Sequence, residues 1–398
     1  MPAMRIYQRT VLTLKKCNSL RSVQLTRSVL SSSNKKTITS DSSSSSSSSK
    51  LNILKPWKWY IPFGFGVSFL SFYIWQYQTK TKCDKKEEEK TVTRDIVIGF
   101  YYYLPLRITS RIWGWLASCE LPESLRPTLY KFYAKTFSAN LDEIDLELVS
   151  FPSLVDFFVR PLRKDVRPIA ITTNLVSPAD GKILHIGPVT NCYVKQVKGV
   201  TYDLRNFLGD NNYDKTDNNE IKQKYITSLL KNPKKNQLYQ LSIYLAPGDY
   251  HRFHSAANWK INCRKHFQGK LLSVNPKISS WLPNLFSLNE RAVYIGEWDG
   301  GFMAYAVVGA TNVGSIRVFN DKNLITNRRK WPKGKKCEEL KFDKLTMKKG
   351  DLFGEFRMGS TIVLLFEAPR DFHQFTIKDN QRILVGQGIT DCHLKSTK

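Results

Sequence analysis

Gly359-Ser360, within Phe353-Gly354-Glu355-Phe356-Arg357-Met358-Gly359-Ser360-Thr361, sets a hydroxyl directly after an unshielded carbonyl. A glycine carbonyl is sterically open, and the next residue's hydroxyl reaches it through a five-membered ring, so the pair is suited to cutting its own peptide bond. The same residues also suit a strand boundary or bulge, because the apolar run Ile362-Val363-Leu364-Leu365-Phe366 follows at once. Self-cleavage needs a base and a group to orient it, and two segments offer them. Ser177-Pro178-Ala179-Asp180-Gly181-Lys182-Ile183 reads as a turn entering a strand, in which Asp180 is either an orienting carboxylate or part of a plain Asp-Gly turn. Ala246-Pro247-Gly248-Asp249-Tyr250-His251-Arg252-Phe253-His254 places His251 and His254, two of six histidines, three residues apart beside an acid and an arginine. On a helix they would share a face, and in a loop after Pro247-Gly248 they can converge on one site. A structural histidine pair and half of a zinc site are the competing readings, the latter without a third ligand at convincing spacing.

Other reactive side chains are dispersed. Seven cysteines occur without a Cys-x-x-Cys pair, so neither a disulfide framework nor a zinc module is indicated. Cys263 and His266 have a metal-like spacing but no second pair, and His185, His373 and His393 have no recognisable site around them.

The elements that must position Asp180, the histidines and Ser360 begin near residue 171. There, short β-branched or alternating runs are separated by Gly, Pro, Asn and Asp: Lys182–Ile186, Gln240–Leu245, Ala304–Val308, Ser315–Phe319, Thr361–Phe366 and Arg382–Val385. Residues 171–398 are therefore expected to form a β-rich barrel or sandwich, interrupted by a polar insertion over 205–237 in which Tyr225–Leu230 has helical character. Residues 95–170, punctuated by Pro122, Pro127 and Pro152, read as a helical module. Its aromatic and aliphatic residues, mixed with Arg107 and Arg111, suit either a packed core or the surface of an anionic bilayer. The fold class expected is α+β: a barrel-like or sandwich-like catalytic core, an N-terminal helical module and one transmembrane helix.

The 398 residues carry a net charge of +27, much of it near the start. Residues 1–58 hold eleven Lys or Arg against one acid, Asp41, and residues 1–50 combine a presequence-like Arg- and Ser-rich leader with a serine linker over Ser42–Ser49. A disordered basic tail is the alternative; no nucleic-acid-binding motif accompanies the charge. From Trp59 to Thr79, 21 residues lack a charge, roughly 30 Å of helix, with aromatic residues at both ends. This reads as one membrane crossing, with Pro62, Gly64 and Gly66 weakening the helix near its start. The basic excess before it favours the N-terminus in the mitochondrial matrix and the body in the intermembrane space.

Taken together, Ser-Pro-Ala-Asp-Gly-Lys-Ile, Asp-Tyr-His-Arg-Phe-His and Gly-Glu-Phe-Arg-Met-Gly-Ser-Thr resemble the phosphatidylserine decarboxylase family, in this order and approximate spacing. The resemblance extends upstream through Phe157-Phe158-Val159-Arg160-Pro161-Leu162 and Arg167-Pro168-Ile169, covering roughly residues 95–398, and the N-terminal organisation looks like the mitochondrial inner-membrane type. Two departures are Met358, where Leu is usual, and Ala256, where Pro is common.

The resemblance implies a catalytic set of Asp180, His251, His254 and Ser360. Asp180 would orient His254, His254 would take the Ser360 proton, and Ser360 would attack the Gly359 carbonyl. Elimination and hydrolysis would then leave a pyruvoyl cofactor at residue 360, a large subunit ending at Gly359 and a small one spanning 360–398. The implied reaction is decarboxylation of phosphatidylserine to phosphatidylethanolamine, with His251 assisting; the spacing alone allows either histidine in either role. Two rivals lack self-cleavage: a membrane serine hydrolase using Ser360, His254 and Asp180, which has no Gly-x-Ser-x-Gly elbow, and an inactive membrane-tethered lipid-binding module.

Overall fold

A computed structural model describes residues 98–390 apart from 100, 198–199, 211–217, 281, 313–314 and 373–374. The presequence-like region 1–50 and the apolar stretch 59–79 lie outside the described residues. Among the described residues no helix is long and apolar enough to cross a membrane.

Thirteen strands follow one another through the described core. They are β1 (Gly181–Pro188), β2 (Tyr193–Val197), β3 (Val200–Asp203), β4 (Asn236–Leu245), β5 (Arg252–His254), β6 (Trp259–Phe267), β7 (Arg291–Trp298), β8 (Gly301–Val308), β9 (Ser315–Val318), β10 (Cys337–Met347), β11 (Leu352–Arg357), β12 (Ser360–Pro369) and β13 (Arg382–Ile383). Eight form an antiparallel sheet in the order β10-β6-β7-β8-β12-β4-β1-β13, and three form a smaller sheet, β5-β11-β9. β12 lies between β4 and β8, with Ile362 to Phe366 fully buried, so its unbroken apolar run reflects packing on both faces. The first strand in that order, β10, alternates charged and partly buried residues, as suits a sheet edge.

The smaller sheet packs on the larger through aromatic rings. Phe353 meets Tyr294 and Tyr305 edge-on at centroid distances of 5.0 and 5.2 Å, and Phe253 lies 6.0 Å from Tyr305. The expected barrel or sandwich thus takes the sandwich-like form: the strand order runs between two edges, β10 and β13, and does not close.

The region expected as a helical module contains α1 (Leu106–Ala117), α2 (Arg126–Phe137) and the short α3 (Leu154–Phe158). Pro127 occupies the first turn of α2, where its missing N–H costs nothing, and the Ser153 hydroxyl caps α3 by accepting the Asp156 N–H. These helices share a second hydrophobic cluster containing Tyr130, Tyr133, Phe151, Phe157, Phe158 and Val159. The stretch 205–237, expected as a surface insertion, goes deeper than its polar composition suggests. Phe207, Leu208, Tyr225 and Ile226 are buried in the main core, and helix α5 (Asn219–Leu229) follows the short α4 (Leu204–Leu208).

Candidate active site

The chain leaves the small sheet at Arg357 and enters the middle of the large sheet at Ser360, with only Met358 and Gly359 between. Both have positive φ, 92° at Met358 and 56° at Gly359. A Cβ built on Gly359 would meet nothing within 4 Å, so glycine is needed there for its backbone freedom and not for space. Met358 has no such freedom, and its conformation stores about 1–3 kcal/mol of strain. Its N–H donates to Phe356 O at 2.9 Å, its side chain joins the helical module's hydrophobic cluster, and its Sδ accepts from Trp113 Nε1 at 3.1 Å. Ser360 follows, fully buried, with no partner for its Oγ among the described residues. A desolvated hydroxyl therefore adjoins a strained dipeptide.

His251 and His254 reach this region from a loop and strand, not from the helix their spacing also allowed. After β4, which pairs Leu245 with Ser360, the chain turns through Pro247 and Gly248 into β5, which pairs with β11. The helical module clamps that turn. Tyr133 Oη donates to Pro247 O at 2.8 Å, Arg160 Nη2 donates to Gly248 O at 2.9 Å, and a Cβ on Gly248 would come within 2.0 Å of Phe137 O. Asp249 accepts the Ala246 N–H and pairs with Arg382 at 2.7 Å.

His251 is fully buried, its ring 3.9 Å from Phe158 between centroids. Its Nδ1 faces Asp249 O at 2.8 Å, and since a carbonyl only accepts, Nδ1 carries the proton and Nε2 presents a lone pair. That lone pair has no partner among the described residues. Burial pushes the His251 pKa down to about 3, keeping the ring neutral. His254 has the same tautomer, with Nδ1 on Gly350 O at 2.9 Å, while its Nε2 accepts from Tyr250 Oη at 3.1 Å. Burial lowers its pKa too, partly opposed by the Gly350 carbonyl and the nearby Asp180 charge. Burial raises Tyr250 to about 12, so its hydroxyl stays a donor.

Asp180 differs from the expected orienting acid. It is buried, and its carboxylate is held by Arg167, with Nε at 3.0 and 3.1 Å and Nη2 at 2.6 Å, and by the Val385 N–H at 2.8 Å. Arg167 also reaches Glu143 at 2.8 Å. The Asp180 turn does adjoin the histidine segment, since His254 N–H donates to Pro178 O at 2.8 Å. Both ring nitrogens of His254 are nevertheless engaged elsewhere, so the Gly350 carbonyl sets its tautomer and Asp180 acts on it only through space. Nor does Ser360 Oγ hydrogen-bond to either imidazole. Tyr250, Arg160 and Arg167 all lay inside quoted motifs, but spacing gave them no role. Ala256 is buried, and its carbonyl accepts the Val176 N–H at 2.9 Å, closing the loop after His254 without a proline. His266, half of the metal-like pair, directs Nε2 to Glu290 at 3.1 Å.

Comparison with known proteins agrees with the motifs. The family model described as phosphatidylserine decarboxylase matches residues 154–391. The mitochondrial phosphatidylserine decarboxylase proenzyme of Cricetulus griseus is 44% identical over 306 residues, 73% of each chain. Proenzyme 1 of Arabidopsis thaliana, also named mitochondrial, is 38% identical over 356 residues, 77% of this chain and 78% of that one. The corresponding proenzyme 1 of Schizosaccharomyces pombe is 34% identical over 390 residues, 81% of this chain and 88% of its own.

Proposed function

This chain belongs to the phosphatidylserine decarboxylase family, and from that premise we propose that it converts phosphatidylserine to phosphatidylethanolamine and carbon dioxide with a pyruvoyl group made from its own Ser360. The observation that carries the reading is the pairing of a buried, unpartnered Ser360 Oγ with the strained Met358-Gly359 turn.

In the self-cleavage step, His254 takes the Ser360 hydroxyl proton and Oγ bonds to the Gly359 carbonyl carbon. The C–N bond then breaks, and the freed Ser360 nitrogen takes a proton, leaving an ester. Removal of the Ser360 Cα proton expels the Gly359 carboxylate and leaves a dehydroalanine, which water converts to the pyruvoyl group with release of ammonia. His254 Nε2 accepts from Tyr250 in the resting structure, so Tyr250 must yield before His254 reaches Ser360. The hydrolase rival needs an assembled Ser-His-Asp relay, and Ser360, His254 and Asp180 share no hydrogen bond.

The site fits the pyruvoyl group, whose methyl would stand in place of the Ser360 CH2OH and needs no hydrogen-bond partner where that hydroxyl has none. When present, that group withdraws electrons from the substrate amino acid as carbon dioxide leaves. His251, with a neutral ring and a free Nε2, is the residue we assign to proton handling at that stage.

Both products of the cut stay in the fold. β12 is paired on both sides, β13 pairs with β1, Val385 N–H donates to Asp180, and Arg382 holds Asp249, so the 360–398 piece is bound through its whole described length.

The lipid substrate places the body at a membrane. Ile108, Ile112 and Trp115 recur along the exposed side of α1 with Tyr103 and Leu104 just before it, and we assign this stripe to a bilayer surface. Relatives are named mitochondrial, which supports that compartment; the single pass through the inner membrane with the body in the intermembrane space rests on the uncharged stretch 59–79 and the basic excess before it. Protease protection in mitochondria with an intact outer membrane tests that orientation. Denaturing mass analysis of the full chain tests the function: a fragment beginning at residue 360 with a blocked terminus is expected, and an intact polypeptide refutes self-cleavage.

A further inference from the structure

We propose that Trp113 is a positioning residue for self-cleavage, its indole N–H holding Met358 in the conformation that presents the Gly359 carbonyl to Ser360. The proposal rests on the self-cleavage reading above. A side chain at φ 92° persists only where its surroundings over-determine it, and the surroundings of Met358 are unusually specific. Its main-chain N–H is tied to Phe356 O, its side chain is buried in the cluster around Tyr130, Phe157 and Val159, and its sulfur takes the Trp113 Nε1–H at 3.1 Å.

The donor stands on a support independent of the turn. Trp113 lies on α1, which is fixed to the body on its Arg side: Arg107 Nη1 donates to Gly269 O at 2.6 Å and pairs with Glu290 at 3.2 Å, and Arg111 Nε donates to Asn327 O at 3.2 Å. A rigid helix thus presents one directional bond to the residue before the scissile glycine. Without it, Met358 keeps only its tie to Phe356 O and its apolar packing, and relaxes more readily toward negative φ, carrying the Gly359 carbonyl away from Ser360 Oγ. With it, the constraint is released only when the Gly359–Ser360 amide opens, which favours the forward step. The leucine usual in the family has no acceptor, so this bond belongs to Met358 in this chain.

The test is a double-mutant cycle on the rate at which freshly synthesised full chain yields the 360–398 fragment. Trp113→Phe keeps a ring and removes the N–H; Met358→Leu keeps the volume and removes the acceptor. Each single change is expected to slow cleavage about fivefold, as befits one neutral hydrogen bond, with the double variant no slower than either. Thermal midpoints measured in a Ser360→Ala background should stay near that of Ser360→Ala alone, which a purely structural role would not allow. If Trp113→Phe lowers the midpoint, Met358→Leu still reads the same bond from its other end. Unchanged cleavage in both single variants, or effects that multiply in the double, overturns the role of Trp113. A parent chain that never cuts overturns the self-cleavage reading itself, and this inference with it.

Discussion

Replacing Asp180 by Asn separates two accounts of this residue. If Asp180 oriented His254 as in a serine-protease relay, the amide would favour the wrong tautomer, and cleavage would fall by about 10⁴ with the fold intact. The geometry gives another outcome. Asp180 accepts three contacts from Arg167 and one from the Val385 N–H, while His254 Nδ1 donates to Gly350 O. Asn can keep the Val385 bond through its oxygen but turns an NH2 group toward the guanidinium. Breaking a buried pair from one side costs about 3–5 kcal/mol, and we take the lower end because Glu143 still holds Arg167. A loss of about 3 kcal/mol corresponds to a fall in thermal midpoint of roughly 6–12 °C. The assay is thermal unfolding in a Ser360→Ala background, so that cleavage does not intrude, beside the cleavage rate in the Ser360 chain. Adding Arg167→Met to Asp180→Asn should restore part of the loss by removing the cation that has lost its buried partner and keeps only Glu143. A midpoint within about 2 °C of the parent, together with abolished cleavage, would refute the anchoring role and return Asp180 to the relay.

Three further outcomes follow from the site. His254→Ala should leave an uncut precursor, whereas His251→Ala should still yield the 360–398 fragment and decarboxylate poorly; gel analysis and product assay on the same preparation separate them. His251 has a folded pKa near 3 against 6.5 in the unfolded chain, so the unfolded chain takes up the proton first on acidification. The stability due to the neutral ring is therefore complete above pH 6.5 and is lost between there and pH 3, by up to about 1.4 kcal/mol per pH unit. His251→Asn in the Ser360→Ala background should flatten denaturant-measured stability over that window by one proton, and an unchanged slope would place the proton elsewhere. Ile112→Asp on the exposed stripe of α1 should weaken sedimentation of the protein with anionic vesicles while leaving the thermal midpoint unchanged, and undiminished binding would move the membrane contact off this helix.

What the sequence made legible is what depends on local pattern. Ile362 to Phe366 announces a strand buried on both faces, and the alternation near Gln240 announces its neighbour, because burial forces apolar residues at a fixed period. Cys337–Met347 was not legible, since an edge strand with charged outward residues carries the composition of a loop. The four proposed site residues lie within neighbouring segments of the fold, but their partners depend on competition that spacing does not encode. The turn that carries Asp180 adjoins His254, yet Arg167, 13 residues before Asp180, takes the carboxylate with a bidentate fork that outcompetes a neutral imidazole. The tautomers of both histidines are set by backbone carbonyls, Asp249 O and Gly350 O, which no side-chain motif records. The strain at Met358 is likewise invisible until the two sheets that it joins are known.

That junction explains why the proposed cut would be tolerated here and ruinous a few residues either way. The last pair of β11 with β9 is Arg357 with Ser315, and the first pair of β12 with β4 is Ser360 with Leu245, so the Gly359–Ser360 bond lies at the margin of both ladders. Opening it breaks no strand in two. The precursor carries two local costs at that bond, the conformation of Met358 and a buried hydroxyl without an acceptor, each worth about 1–3 kcal/mol. Cleavage frees the first and consumes the second, because the hydroxyl itself leaves with the Gly359 carboxylate. The remaining sheet contacts are the same before and after, so the free energy released at the turn is not opposed by any loss of packing. A fold that unites strain, a buried nucleophile and an uninterrupted central strand at one peptide bond would therefore drive the proposed cut forward and keep both of its products in place.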